Sequence, residues 1–200
     1  MGIHRKRQNK RNQFNKIKDM NRFVYLFIFL MPILGCRNSN TSNIESTVSN
    51  LYGKKISIPT DSFQCYKGLK EYPINQEHSE YKLVVFIDST ECSSCALENM
   101  HEWDSYVCLS DSLKNKFNII FIISPKQGEV GNAKIKILSE NFKHAIYIDA
   151  KSIFHKANPI IPANKIYHTF LLDAENKILL VGSPIHNKKI YNILISFIKG

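Results

Sequence analysis

Two sulfurs, Cys92 and Cys95, flank Ser93-Ser94 at the point where an apolar run, Leu83 to Ile87, gives way to a helical pattern. A thiolate on the first turn of a helix faces backbone N–H groups without partners and the positive end of the helix dipole, and both favour the anion over the thiol. This assigns the nucleophile's role to Cys92, as the sulfur on the exposed first turn. Cys95, one turn on, is the resolving thiol: it attacks a mixed disulfide formed at Cys92 and releases the partner. The exchange moves bonds and electrons among sulfurs alone, so no cofactor is expected. Peroxide attack by Cys92 would need an arginine or its equivalent to hold the anion, and no Arg follows Arg37. A zinc site needs four ligands, and no second Cys-x-x-Cys or histidine pair stands at matching spacing, so no metal is expected.

The surrounding pattern predicts an α/β domain. Leu83 to Ile87 is a continuous apolar run, the mark of a strand buried on both faces of a parallel sheet, and Phe117 to Ile123 reads as a second buried strand, closed by Ser124-Pro125. Ala96, Met100, Trp103 and Val107 recur at helical spacing, predicting one helix of about four turns that opens at the dithiol. Ile135, Leu138 and Phe142 mark a second helix after a loop containing Gly128 and Gly131. Ala145 to Ile148 reads as a third strand and Ser152 to Ala157 as a short helix. Thr169 to Leu172 then pairs with Lys177 to Val181 as a hairpin. Ile190, Ile193, Leu194, Phe197 and Ile198 place an amphipathic helix last. Upstream, Gly53 to Pro59 alternates polar and apolar residues before a proline, predicting a short edge strand, and residues 60–80 read as connection. Parallel strands first, an antiparallel hairpin last and helices on both faces make a three-layer α/β sandwich around a central mixed sheet.

The compartment decides whether paired cysteines act as redox groups. Basic residues from Arg5 to Arg22 precede an apolar run, Phe23 to Leu34, that is too short to span a bilayer. The segment reads as a secretory signal, with Met20 a second candidate start; the alternative is a short buried helix or an uncleaved anchor. It ends in Ile33-Leu34-Gly35-Cys36, which resembles the lipobox of bacterial lipoproteins. That resemblance implies lipid on Cys36 and removal of residues 1–35. Residues 36–50, dominated by Asn, Ser and Thr, predict a flexible tether, and residues 51–200 one domain. The chain holds 27 Lys/Arg and 17 Asp/Glu, a net charge of +10, but 8 and 1 of these lie in residues 1–35, so the remainder carries about +3. A nucleic-acid partner loses its electrostatic support. Cys65 and Cys108 read as small buried hydrophobes, the alternative being a structural bridge between them.

A series of this kind, with Cys-x-x-Cys at a helix start after a long buried strand and a hairpin and helix at its end, resembles the thioredoxin superfamily over roughly residues 51–199. The short helix before the hairpin, Glu98 three residues after the second cysteine, and Thr169-Phe170-Leu171-Leu172-Asp173 resemble its membrane-tethered periplasmic branch, the TlpA-like and peroxiredoxin-like thiol-disulfide proteins. The resemblance implies an oxidoreductase lipid-anchored in the bacterial envelope, facing the periplasm, exchanging disulfides with envelope proteins and renewed by a redox-recycling partner. The alternative is a non-catalytic envelope binding module whose cysteines form a structural disulfide. It also implies a substrate-contact loop at Tyr167, His168 and Thr169. Two positions depart from the family pattern: Glu91 replaces the usual tryptophan before the first cysteine, and its charge is expected to raise the Cys92 pKa. Tyr167 stands where the family has a cis-proline, three residues before Phe170. His168 is a candidate to titrate near neutral pH or to hydrogen-bond a sulfur, against the plainer reading of a surface histidine.

Overall fold

Strand β3, Tyr81–Ile87, is the spine that carries the chain to the dithiol. Successive side chains of a strand point to opposite faces, and here both faces are covered. Leu83, Val85 and Ile87 enter one apolar cluster while Val84 and Phe86 enter another. The computed structural model describes residues 39–73 and 78–200, so the signal segment and Cys36 lie outside the described residues. Contacts divide the chain into residues 1–44 and 45–200, and the sheet belongs entirely to the second unit.

On one side of β3 lies β4, Phe117–Ile123, parallel to it from Tyr81 opposite Phe117 to Ile87 opposite Ile123. Strand β5, Ile146–Ile148, extends the parallel set. On the other side β6, Thr169–Leu172, runs antiparallel to β3, and β7, Ile178–Val181, antiparallel to β6. The hairpin of β1, Gln64–Lys67, and β2, Lys70–Glu71, joins antiparallel to β5. The seven strands lie in the order β2-β1-β5-β4-β3-β6-β7, a mixed sheet as the apolar runs predict.

Two layers of apolar side chains cover it. Helices α2 (Ser93–Glu98), α3 (Asp104–Ser112), α4 (Val130–Glu140) and α6 (Lys188–Lys199) supply one face with Leu97, Val107, Ile137 and Leu194. Leu51 at the end of α1 (Ser39–Leu51) and Phe154 of α5 (Ile153–Ala157) supply the other. Phe154 stacks parallel to Phe170 and tilts against Phe86, so one fully buried ring ties α5 to the neighbouring strands β3 and β6. Burying such a ring is worth about 1.5–3 kcal/mol.

Four local expectations are corrected. Residues 39–50 of the expected tether belong, with Leu51, to helix α1, whose Val48 and Leu51 pack in the second cluster. Gly53 to Pro59 makes a single bridge, Lys55 to Lys177, instead of a strand, although Ile56 is fully buried. Residues 60–80 contain the β1–β2 hairpin, with Gly68 at φ +62° in its turn. The helix expected to run through Val107 is broken into α2, a 3-10 turn at Met100–Trp103, and α3. The break falls at Asn99, whose side chain donates back to the Cys95 carbonyl at 3.0 Å. Among the described residues no helix is long and apolar enough to cross a membrane.

Candidate active site

The end of β3 and the start of α2 set the geometry. Cys92 caps α2 from an extended backbone, φ −75° and ψ 100°, and its Sγ accepts the Cys95 N–H at 3.3 Å. A helix-start amide thus faces the sulfur assigned as nucleophile, as the spacing predicts. Cys92 and Cys95 are joined in a disulfide with their Cα atoms 5.3 Å apart.

Both cysteines are exposed, which corrects the expectation that only the first is. The reason is helical periodicity: Ser93 and Leu97, four apart, form the buried face of α2, and Cys95 lies about 200° around the axis from each. The disulfide opens on a cavity of about 610 Å³ bounded by Glu91, Cys92, Cys95, Asn99, Ala163 and Lys165.

The loop preceding β6 approaches this cavity differently from the expectation. Tyr167 is buried and packs in the second cluster, His168 is 2% exposed, and Thr169 is buried in β6 opposite Val85. Ala163 and Lys165, upstream in the same loop, are the residues that line the cavity instead. All described peptide bonds are trans, Tyr167 included.

His168 is a core histidine, not a surface one. Its Nε2 lies 2.8 Å from the Pro162 carbonyl oxygen, which can only accept, so Nε2 carries hydrogen. Its ring packs on Phe86, and its Nδ1 lies 3.7 Å from Glu91 Oε1. Burial opposes the imidazolium, but the Glu91 carboxylate, the Pro162 carbonyl and Asp88 outweigh it, leaving the His168 pKa above its ordinary value. Lys165 Nζ approaches the other oxygen, Glu91 Oε2, at 4.0 Å. His168 Nδ1 and Lys165 Nζ thus approach the two oxygens of Glu91 from two sides. Nothing in the local sequence announces this; it arises because Phe86 and His168 meet across β3 and the residue before β6, where the Phe86 N–H donates to the His168 carbonyl at 2.9 Å.

Glu98 points elsewhere. It pairs with Lys136 of α4 at 2.9 Å, and Lys136 also holds Glu140 at 3.0 Å. Cys65 and Cys108 are both free, so the alternative of a bridge is not realised; Cys65 is buried as expected, whereas Cys108 is exposed. Burial pushes the Cys65 thiol up to about 11.

No family profile and no curated protein sequence matches the chain. Among solved structures, a Chlorobium tepidum protein assigned as thiol:disulfide interchange protein DsbE superposes with a TM-score of 0.50 at 14% identity, covering 74% of this chain and 97% of its own. The chain has the thioredoxin fold. Further structures with that fold include the thioredoxin domain of a Bacteroides vulgatus thiol-disulfide oxidoreductase, 19% identical, TM-score 0.45, covering 71% of this chain and 99% of its own. The exposed lipoprotein thioredoxin of Streptococcus pneumoniae is 15% identical with a TM-score of 0.43, covering 69% and 99%. Within the thioredoxin fold the dithiol of this chain stands after β3 and at the start of a helix, the position that the sequence resemblance implies.

Proposed function

We propose that this protein is a thiol-disulfide oxidoreductase, exported and held to a membrane of the bacterial envelope by lipid on Cys36, that exchanges disulfides with envelope proteins. The observation that carries the reading is the exposed Cys92–Cys95 disulfide at a helix start, open to a cavity of about 610 Å³. In the reduced protein the Cys92 thiolate attacks one sulfur of a substrate disulfide and displaces the other as thiolate. Cys95, giving up its proton, then attacks Cys92 Sγ, re-forms the intramolecular disulfide and frees the second substrate sulfur. Two electrons pass to the substrate, and a dithiol partner returns them. Run backwards, the same steps oxidise a substrate dithiol.

The lining supports a polypeptide substrate rather than peroxide. Asn99 and the exposed Lys165 offer polar contacts beside Ala96 and Ala163, and no arginine lines the cavity among the described residues. The test is trapping in the envelope. Cys95→Ser is expected to accumulate mixed disulfides through Cys92, while Cys92→Ser accumulates none. Absence of trapped partners from both variants refutes the exchange reaction and leaves the binding-module reading. Palmitate labelling that persists in Cys36→Ala refutes the anchor separately.

A further inference from the structure

We propose that Asp88, Glu91 and His168 bind one divalent transition-metal cation of the Zn²⁺ class at the rim of the dithiol cavity. The donor atoms of the three side chains lie within 4.8 Å of one another. Asp88 is 7% exposed and the His168 side chain 2%, while Glu91 is 22% exposed and borders the cavity. His168 Nδ1 is buried and has no hydrogen-bond partner among the described residues. It is aimed at Glu91 Oε1 across 3.7 Å, too far for a hydrogen bond. That gap suits a shared cation: with metal–ligand distances of about 2.0–2.2 Å, tetrahedral ligands stand about 3.3–3.6 Å apart.

The surroundings are arranged as around a metal ligand. The Pro162 carbonyl holds the Nε2 hydrogen at 2.8 Å, which fixes the ring and leaves the Nδ1 lone pair forward. The Thr90 N–H and hydroxyl both donate to Asp88 Oδ1, at 2.8 and 2.6 Å, and hold the carboxylate in place. Two carboxylates and a neutral imidazole carry a double negative charge that a dication balances; a proton on Nδ1 would leave one charge, faced by Lys165 alone at 4.0 Å. Three protein ligands leave one coordination position open. The ligand set escaped the sequence because it joins the loop after β3 to the loop before β6, with no spacing motif. Since Glu91 immediately precedes Cys92, a bound dication also puts positive charge beside the nucleophile, which favours its thiolate.

The measurement uses the full chain with its disulfide intact and Cys108 alkylated, so that no thiolate from the dithiol contributes and the outcome is independent of the exchange reaction. Equilibrium dialysis against Zn²⁺, read by elemental analysis, is expected to give one ion per chain. Glu91→Gln and His168→Ala are each expected to weaken binding at least about tenfold. Co²⁺ in place of Zn²⁺ is expected to show visible absorption bands that both variants lose. If His168→Ala does not fold, Glu91→Gln decides, because that side chain is partly exposed and nearly unchanged in shape. No saturable Zn²⁺ uptake by the unsubstituted protein assigns the Nδ1 position to a proton and overturns the proposal, as does uptake unchanged in Glu91→Gln.

Discussion

Cys92 and Cys65 are the same residue type in opposite settings. Cys92 is exposed at a helix start, with a backbone N–H directed at its sulfur. Cys65 is 2% exposed on β1, opposite Tyr147 of β5. Burial dominates its titration and pushes the thiol up to about 11; Lys67 and a hydrogen bond with Tyr147 pull it down, and Glu71 adds a smaller upward push. Reactivity here is decided by solvation and by donors aimed at the sulfur, not by residue type.

The largest effect expected from this contrast is on turnover. Cys92→Ser should reduce catalysed disulfide exchange on a model protein substrate to the uncatalysed rate. Cys65→Ala should leave it unchanged, at a stability cost of about 1 kcal/mol read by denaturant unfolding. Loss of exchange in a folded Cys65→Ala protein would place a working thiol in the core and break the contrast.

Alkylation sharpens the same difference. At pH 8 a thiol with a pKa of about 11 is about 0.1% thiolate, against about a tenth for an ordinary thiol near 9, so ionisation alone slows Cys65 by about a hundredfold. Iodoacetamide with mass-spectrometric readout should therefore modify exposed Cys108 while native Cys65 remains intact, and modify both after unfolding. Equal rates in the native protein would show that β1 opens readily or that the thiol is not buried.

How much of this was legible follows from where the signals lie. β3 and β4 could be read because a strand buried on both faces is mostly apolar, and their short length and β-branched content favour a strand over a buried helix. β1 could not: Gln64-Cys65-Tyr66-Lys67 is four residues with polar ends, and only Gly68 in the turn marks it. The break at Asn99 was hidden because the apolar stripe of Met100, Trp103 and Val107 continues past it, carried by a tighter turn. At the site, the dithiol was legible because its chemistry is local. The Asp88, Glu91 and His168 cluster was not, since it exists only once β6 pairs with β3. The loop before β6 faces the cavity through Ala163 and Lys165 for a related reason: Tyr167 and Thr169 answer to the core.

The smallest effect expected is on stability, where the two regions occupy different pH windows. With divalent cations chelated, the folded pKa of His168 at the dithiol rim lies above the ordinary 6.5. The folded state then holds the proton more tightly than the unfolded chain. The resulting stabilisation is complete below about pH 6.5 and is lost as pH rises through the folded pKa. Cys65 acts in the same direction but later: its stabilisation is complete below about pH 9 and is lost towards about pH 11, because the unfolded thiol ionises first. Denaturant midpoints measured across pH should therefore fall in two steps. His168→Gln should remove the first step alone and Cys65→Ala the second alone. A first step that survives His168→Gln would assign it to another group and detach the Glu91–His168 pair from the energetics of the dithiol rim.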